Sequence, residues 1–223
     1  ERYVRWFRHG HLSATGRCFD IGTTVRRALV EFERSANPHS GPTDHMSAGN
    51  GSIMRLAPVV LAYFPDRERA RYFAAESSKT THGASEAVDA CRILADILSS
   101  LLAGDPKEAA ILSATLPSSA SPGLQGIVDG AYRTKSEREI RGSGYVVHSL
   151  EAALWCFWHT DDFEEAVLRA ANLGDDSDTT AAVCGQLAGA HWGLTGIPDR
   201  WRKRLALVDQ IEVFADRLFA AAF

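Results

Sequence analysis

Apolar residues recur along this chain at the three- and four-residue spacing of a helix face, and strict alternation hardly occurs. Thr23 to Arg34 puts Val25, Ala28, Leu29 and Phe32 on one side. Asp66 to Ser78 follows Pro65 and carries Ala70, Phe73 and Ala74. Ser85 to Leu102 is a long apolar stripe that Gly104-Asp105-Pro106 brings to a stop. Val146 to His159 and Phe163 to Ala171 form two further helices, separated by the capping run Thr160-Asp161-Asp162. Ser177 to Gly193 and Pro198 to Ala222 complete the set, and the chain opens at Glu1 already in helical pattern. Three stretches have loop composition: Ser35 to Gly51, Leu116 to Gly123 and Ser136 to Gly144. No repeat period is visible, which argues against a helical repeat protein. The pattern predicts an all-α protein, a single compact multi-helix bundle over residues 1–223 with functional loops at one end.

Composition narrows the partners. The 223 residues are 45% hydrophobic, enough for one sizeable core, and the net charge is -4. A mildly acidic chain has no general attraction for nucleic acid or for an anionic membrane surface. An anionic ligand must therefore be held locally, by helix N-termini or a metal. Cys18, Cys91, Cys156 and Cys184 form no C-x-x-C pair and have mostly apolar neighbours. They read as buried thiols of a reducing, cytoplasmic compartment. No signal peptide and no membrane span is expected.

The most informative stretch is Gly174-Asp175-Asp176-Ser177-Asp178-Thr179-Thr180, followed by a helix rich in Ala and Gly. Helix capping accounts for one or two such residues. Three crowded aspartates repel one another unless a cation sits among them, and hard oxygens suit Mg²⁺, Mn²⁺ or Ca²⁺. An EF-hand counted from Asp176 would need Gly and Glu where Ala181 and Leu187 stand. The D-x-D-x-T pattern of haloacid dehalogenase-type phosphatases needs a preceding buried strand, whereas Glu164 to Ala171 is helical in pattern.

The cluster resembles the C-terminal metal motif of the ADP-ribosylglycohydrolase family. Four more segments resemble that family in the same order: Gly16 to Gly22, Ser47 to Arg55, Thr80-Thr81-His82-Gly83 and Gly142 to Val147. The resemblance spans nearly the whole chain and points to the bacterial branch that acts on ADP-ribosylated dinitrogenase reductase. It implies an all-α fold, a binuclear Mg²⁺ or Mn²⁺ site, and hydrolysis by water at the anomeric carbon of ADP-ribose. The substrate would be an ADP-ribosylated protein or an ADP-ribose-containing small molecule. The family's N-terminal Gly-Asp-Ala helix and Thr-Asp-Asp-Thr motif, which supply the other half of the metal site, have no counterpart here. The expectation is a chain that lacks that N-terminal segment and the second metal half-site. A non-catalytic ADP-ribose-binding module or inactive fragment is the alternative.

The resemblance assigns roles by position. Asp176, Asp178 and Thr179 become metal ligands, with Asp175 less involved. Asp20 becomes a catalytic or substrate-orienting carboxylate, beside its plain reading as an N-cap of the Thr23 helix. Asn50, Gly51 and Ser52 would bind diphosphate or ribose, since glycine-flanked N–H groups approach phosphate closely. His82 becomes an ADP-ribose contact. Gly144 and Tyr145 offer flexible backbone and an aromatic plane for stacking. Arg55, His148 and His191 are expected to be structural.

Overall fold

The computed structural model describes residues 1–117 and 120–222. Its α-helices, in chain order, are α1 (Arg2–His9), α2 (Thr23–Ser35), α3 (Ala57–Tyr63), α4 (Arg67–Lys79), α5 (Ser85–Leu102) and α6 (Lys107–Leu112). They continue with α7 (Pro122–Val128), α8 (Val146–Trp158), α9 (Phe163–Asn172), α10 (Ser177–Gly196), α11 (Asp199–Arg202) and α12 (Val208–Ala222). Among the described residues no strand forms, and the only β-type pairing is an isolated antiparallel bridge between Gly49 and Tyr145.

The all-α expectation is met because each long helix carries its own apolar stripe. In α5 the stripe widens to nearly the whole circumference, so the helix is buried on all sides and forms the axis of the core. Helix α8 is similarly enclosed and packs against α5, and Leu94, Ile97, Leu150, Leu154 and Phe157 all belong to the core they share. Helix starts follow local chemistry. Asp66, Ser121 and Asp162 each accept a backbone N–H bond at the N-cap of α4, α7 and α9. Three of the four cysteines are buried, and Cys18 is half-buried.

Two expectations need correction. The segment from Pro198 to Ala222 is not one helix: it breaks between α11 and α12, where Leu207 takes φ 60°. The expected loop at Leu116 to Gly123 ends early, because Ser121 caps α7; residues 118 and 119 of that loop lie outside the described residues. Among the described residues no helix is long and apolar enough to cross a membrane.

A candidate site at the start of helix α10

Asp176 is the N-cap residue of α10, so Asp176, Asp178 and Thr179 share that helix's first turn. The chain reaches it through a tight reversal in which Gly174 and the exposed Asp175 both take positive φ, 81° and 53°. Asp176 does not spend its carboxylate on capping the helix. Its Oδ2 instead accepts a hydrogen bond from Asn50 Nδ2 at 2.8 Å, and its backbone N–H donates to the Gly142 carbonyl at 2.9 Å. Asp178 is exposed, and its side chain has no hydrogen-bond or ion-pair partner among the described residues. Thr179 is buried, with its hydroxyl 3.8 Å from Met54 Sδ.

The glycine-rich segment around Asn50 is held in place from the other side. Asn50 N–H donates to the Gly144 carbonyl at 3.0 Å, and Val146 N–H donates to the Ala48 carbonyl at 3.0 Å. Two loops far apart in sequence thus meet as a short antiparallel patch. A methyl group on Gly144 would stand 3.5 Å from Asp176 Oδ2, so this patch lies directly against the acidic helix start.

His82 backs the same loop. It is 3% exposed, and its Nδ1 lies 2.9 Å from Thr81 Oγ1. Arg55 donates to that threonine oxygen at 2.7 Å and to the Gly51 carbonyl. With its lone pairs facing Arg55, Thr81 has its own proton free for His82 Nδ1; this arrangement leaves the ring hydrogen on Nε2, beside Gly49 and Gly51. Burial, and then the Arg55 charge, pushes the His82 pKa down to about 3, so the ring is neutral. Ser52 is 1% exposed, its hydroxyl turned inward toward the Cys91 thiol.

Tyr145 closes the far wall. Its hydroxyl donates to Glu86 Oε1 at 2.7 Å, and its ring meets His148 edge-on with centroids 5.0 Å apart. His148 is fixed in turn by Ser143 Oγ, 2.9 Å from its Nδ1. Burial, and then the Glu86 carboxylate, raises the Tyr145 pKa to about 12, so the phenol keeps its proton. Tyr145, Gly144 and Glu86 line a groove of about 490 Å³ together with Thr24, His45 and Met46.

The structure therefore brings Asn50, Gly51, His82, Gly144, Tyr145, Asp176, Asp178 and Thr179 to one region. Asp20 is not joined to it by any hydrogen bond or ion pair among the described residues; it is exposed at φ 48°. Nor does Asp20 cap α2, whose N-cap is Gly22. Sequence reasoning missed Glu86, which reads as an ordinary first-turn acid, and Thr81 as the partner of His82. Gly142 stood in a family-like segment, but its role did not show in the sequence: its carbonyl receives the Asp176 N–H, and a Cβ on it would lie 3.2 Å from Thr180 Oγ1. Among the described residues, no three His, Cys, Asp or Glu side chains converge to enclose a metal ion. Asp176, Asp178 and Thr179 offer hard oxygens with free lone pairs, and the uncapped Asp176 carboxylate fits part of a coordination sphere.

Fold and site together define an all-helical protein that sets an oxygen-rich helix start against a glycine-rich loop and a tyrosine-walled groove. A family model described as ADP-ribosylglycohydrolase matches residues 1–223, and the chain belongs to that family. It is 43% identical to the ADP-ribosylarginine hydrolase Tri1 of Pseudomonas putida, over 98% of this chain and 58% of that protein. It is 25% identical to the ADP-ribosyl-[dinitrogen reductase] glycohydrolase of Rhodospirillum rubrum, over 96% of this chain and 67% of that protein. The expected likeness to the dinitrogenase reductase branch is thus weaker than the likeness to Tri1. A solved structure, an ADP-ribosylglycohydrolase-related protein complex, superposes with a TM-score of 0.81 at 39% identity, covering 99% of this chain and 72% of that one. The chain spans 58% of the length of the Tri1 relative.

Proposed function

We propose that this chain carries the ADP-ribose-binding face and part of the metal site of a hydrolase that removes ADP-ribose from an ADP-ribosylated protein or small molecule. The observation that carries this reading is the Asn50–Asp176 hydrogen bond, which ties the glycine loop to the acidic helix start. The name of the Tri1 relatives favours arginine as the acceptor.

Asp176, Asp178 and Thr179 would hold Mg²⁺ or Mn²⁺. Such a cation, when bound, lowers the pKa of water and orients ribose hydroxyls. The remaining work falls to the chain itself. Asn50 fixes the Asp176 carboxylate in one orientation, and Arg55, Thr81 and His82 keep the loop rigid from behind. The glycines at 49 and 51 let the His82 ring press against this loop from behind, and the Asn50 N–H is held by the Gly144 carbonyl. Positive charge develops on the anomeric carbon as the glycosidic bond breaks, and the neighbouring carboxylates stabilise it. No step is assigned to Asp20. The small donor set favours a second reading, an ADP-ribose-binding module without turnover.

The test is release of ADP-ribose from an arginine-ADP-ribosylated protein with Mg²⁺ or Mn²⁺ present, using this chain alone and fused to the family's acidic N-terminal segment. Release that stops with chelator and with Asp176→Asn is expected. Binding of ADP-ribose with no release from either form would establish the module instead. Release indifferent to both chelator and Asp176→Asn would overturn the metal assignment.

A further inference from the structure

We infer that Gln186 is a positioning residue: it locks α10 against residues 50–57 and so keeps the Asp176 carboxylate in reach of Asn50. The inference rests on the hydrolase reading above only for the cation that Asp176 and Thr179 would hold.

Helical spacing puts Asp176, Thr179, Val183 and Gln186 on one side of α10. That side meets residues 50–57 at its start, its middle and its far end. At the start, Asp176 Oδ2 accepts a hydrogen bond from Asn50 Nδ2 at 2.8 Å. In the middle, Thr179 Oγ1 lies 3.8 Å from Met54 Sδ, a weak acceptor. About two turns further on, Gln186 uses both ends of its amide. Its Oε1 accepts the Ala57 N–H at 2.7 Å, and its Nε2 donates to the carbonyls of Ile53 at 2.9 Å and Met54 at 3.1 Å.

Helix capping explains only half of this. Ala57 opens α3, which has no side-chain cap from its own segment, so Gln186 Oε1 serves that N–H. The Nε2 bonds go instead to the 3-10 turn Ile53–Arg55, in which the Ile53 and Met54 N–H groups both bond the Asn50 carbonyl. Gln186 thus reaches Asn50 through the backbone of that turn. An amide bonded in both directions fixes distance and rotation between two segments. Helix α10 needs such a fixture: Ala181, Ala182, Gly185, Ala188, Gly189 and Ala190 leave much of its surface smooth. The Asn50–Asp176 bond, at the helix end and just past the reversal at Gly174 and Asp175, leaves α10 free to pivot by itself. A slide of about 1.5 Å, the rise of one residue, would take that bond out of hydrogen-bonding range.

Two readouts test the role on the chain as it stands. The first is the nuclear magnetic resonance signal of the Asn50 side-chain amide, assigned by its disappearance in Asn50→Ser. Its two protons resonate far apart while one is bonded to a carboxylate. Gln186→Met keeps the length and helix preference of the side chain and removes its donor and acceptor. Gln186→Glu keeps the oxygen for Ala57 and removes the donors to Ile53 and Met54. Both should draw the Asn50 pair together. Thr160→Val, which cuts the buried bond from Thr160 Oγ1 to the Cys156 carbonyl, destabilises the core elsewhere and should leave the pair apart. The second readout is Mn²⁺ titration, in which both Gln186 variants should bind about tenfold more weakly and Thr160→Val should match the parent. An unmoved Asn50 pair in the Gln186 variants, equal movement in Thr160→Val, or unchanged Mn²⁺ affinity would each overturn the inference. So would failure of both Gln186 variants to fold, which would make Gln186 a residue of global stability. Movement of the Asn50 pair in a parent that binds no Mn²⁺ would overturn the metal part of the hydrolase reading and leave the positioning role standing.

Discussion

Gly51 and His82 form a contact that can be tested without any ligand. A methyl group built on Gly51 would lie 2.7 Å from His82 Cε1 and 3.1 Å from Nε2. Carbon atoms in good contact sit about 3.5–4.0 Å apart, so Gly51→Ala forces an overlap of roughly 1 Å. The ring cannot yield freely: it is 3% exposed and bonded through Nδ1 to Thr81, which Arg55 holds in turn. Overpacking of this kind costs about 1–3 kcal/mol. His82→Ala also destabilises, by opening a cavity. In the double variant the clash is gone, and the next atom the new methyl meets is Val25 Cγ2 at an ordinary 3.6 Å. The two changes should therefore cost at least about 1 kcal/mol less together than the sum of the single changes. Urea unfolding of the four proteins at pH 7.5, with m-values unchanged, measures the coupling. Additivity within about 0.5 kcal/mol would refute the wedge between His82 and the loop.

His82 also predicts a pH dependence. Its folded pKa is lowered to about 3 from an ordinary 6.5, so below pH 6.5 the unfolded chain takes up a proton that the folded chain refuses. Stability from this group is full above pH 6.5 and falls by roughly 1.4 kcal/mol per unit until about pH 3. Between pH 7.5 and 5, unfolding free energy should drop roughly 2 kcal/mol more in the parent than in His82→Gln, and parallel curves would contradict it. Asp96 is buried and joined to Arg71, Arg67 and the Thr115 N–H, so Asp96→Ala should cost about 3–5 kcal/mol in chemical denaturation. A loss under about 1 kcal/mol would show that these arginines find other partners. Asp176, Asp178 and Thr179 leave at least half of a hard cation's oxygen sphere to water, so Mn²⁺ titration followed by electron paramagnetic resonance should show weak binding to this chain. Asp178→Asn should weaken it further, and adding the family's acidic N-terminal segment should strengthen it.

The helices α2, α4, α5, α8 and α9 were legible in the sequence to within a residue or two, because their signal is local. Side-chain spacing along one helix and a capping residue such as Asp162 need nothing from the rest of the chain. The start of α10 was legible for the same reason, and so was the chemistry of its oxygens. The short helices α3, α6 and α7 were not singled out, since two turns give too little periodicity to stand out. The break at Leu207 was missed because the apolar pattern runs on through it.

The site itself divides along the same line. Family likeness in ordered segments marked Asn50, His82, Tyr145 and Asp176, but not what each one touches. That Asp176 turns from its own helix to Asn50, 126 positions away, was decided by packing. So was the meeting of Tyr145 with Glu86, 59 positions apart, and the burial that keeps His82 neutral. A local pattern fixes backbone dihedrals and the direction of a helix face. A hydrogen bond between distant segments, and the loss of water that sets its strength, exists only once the core around α5 has brought the two backbones together.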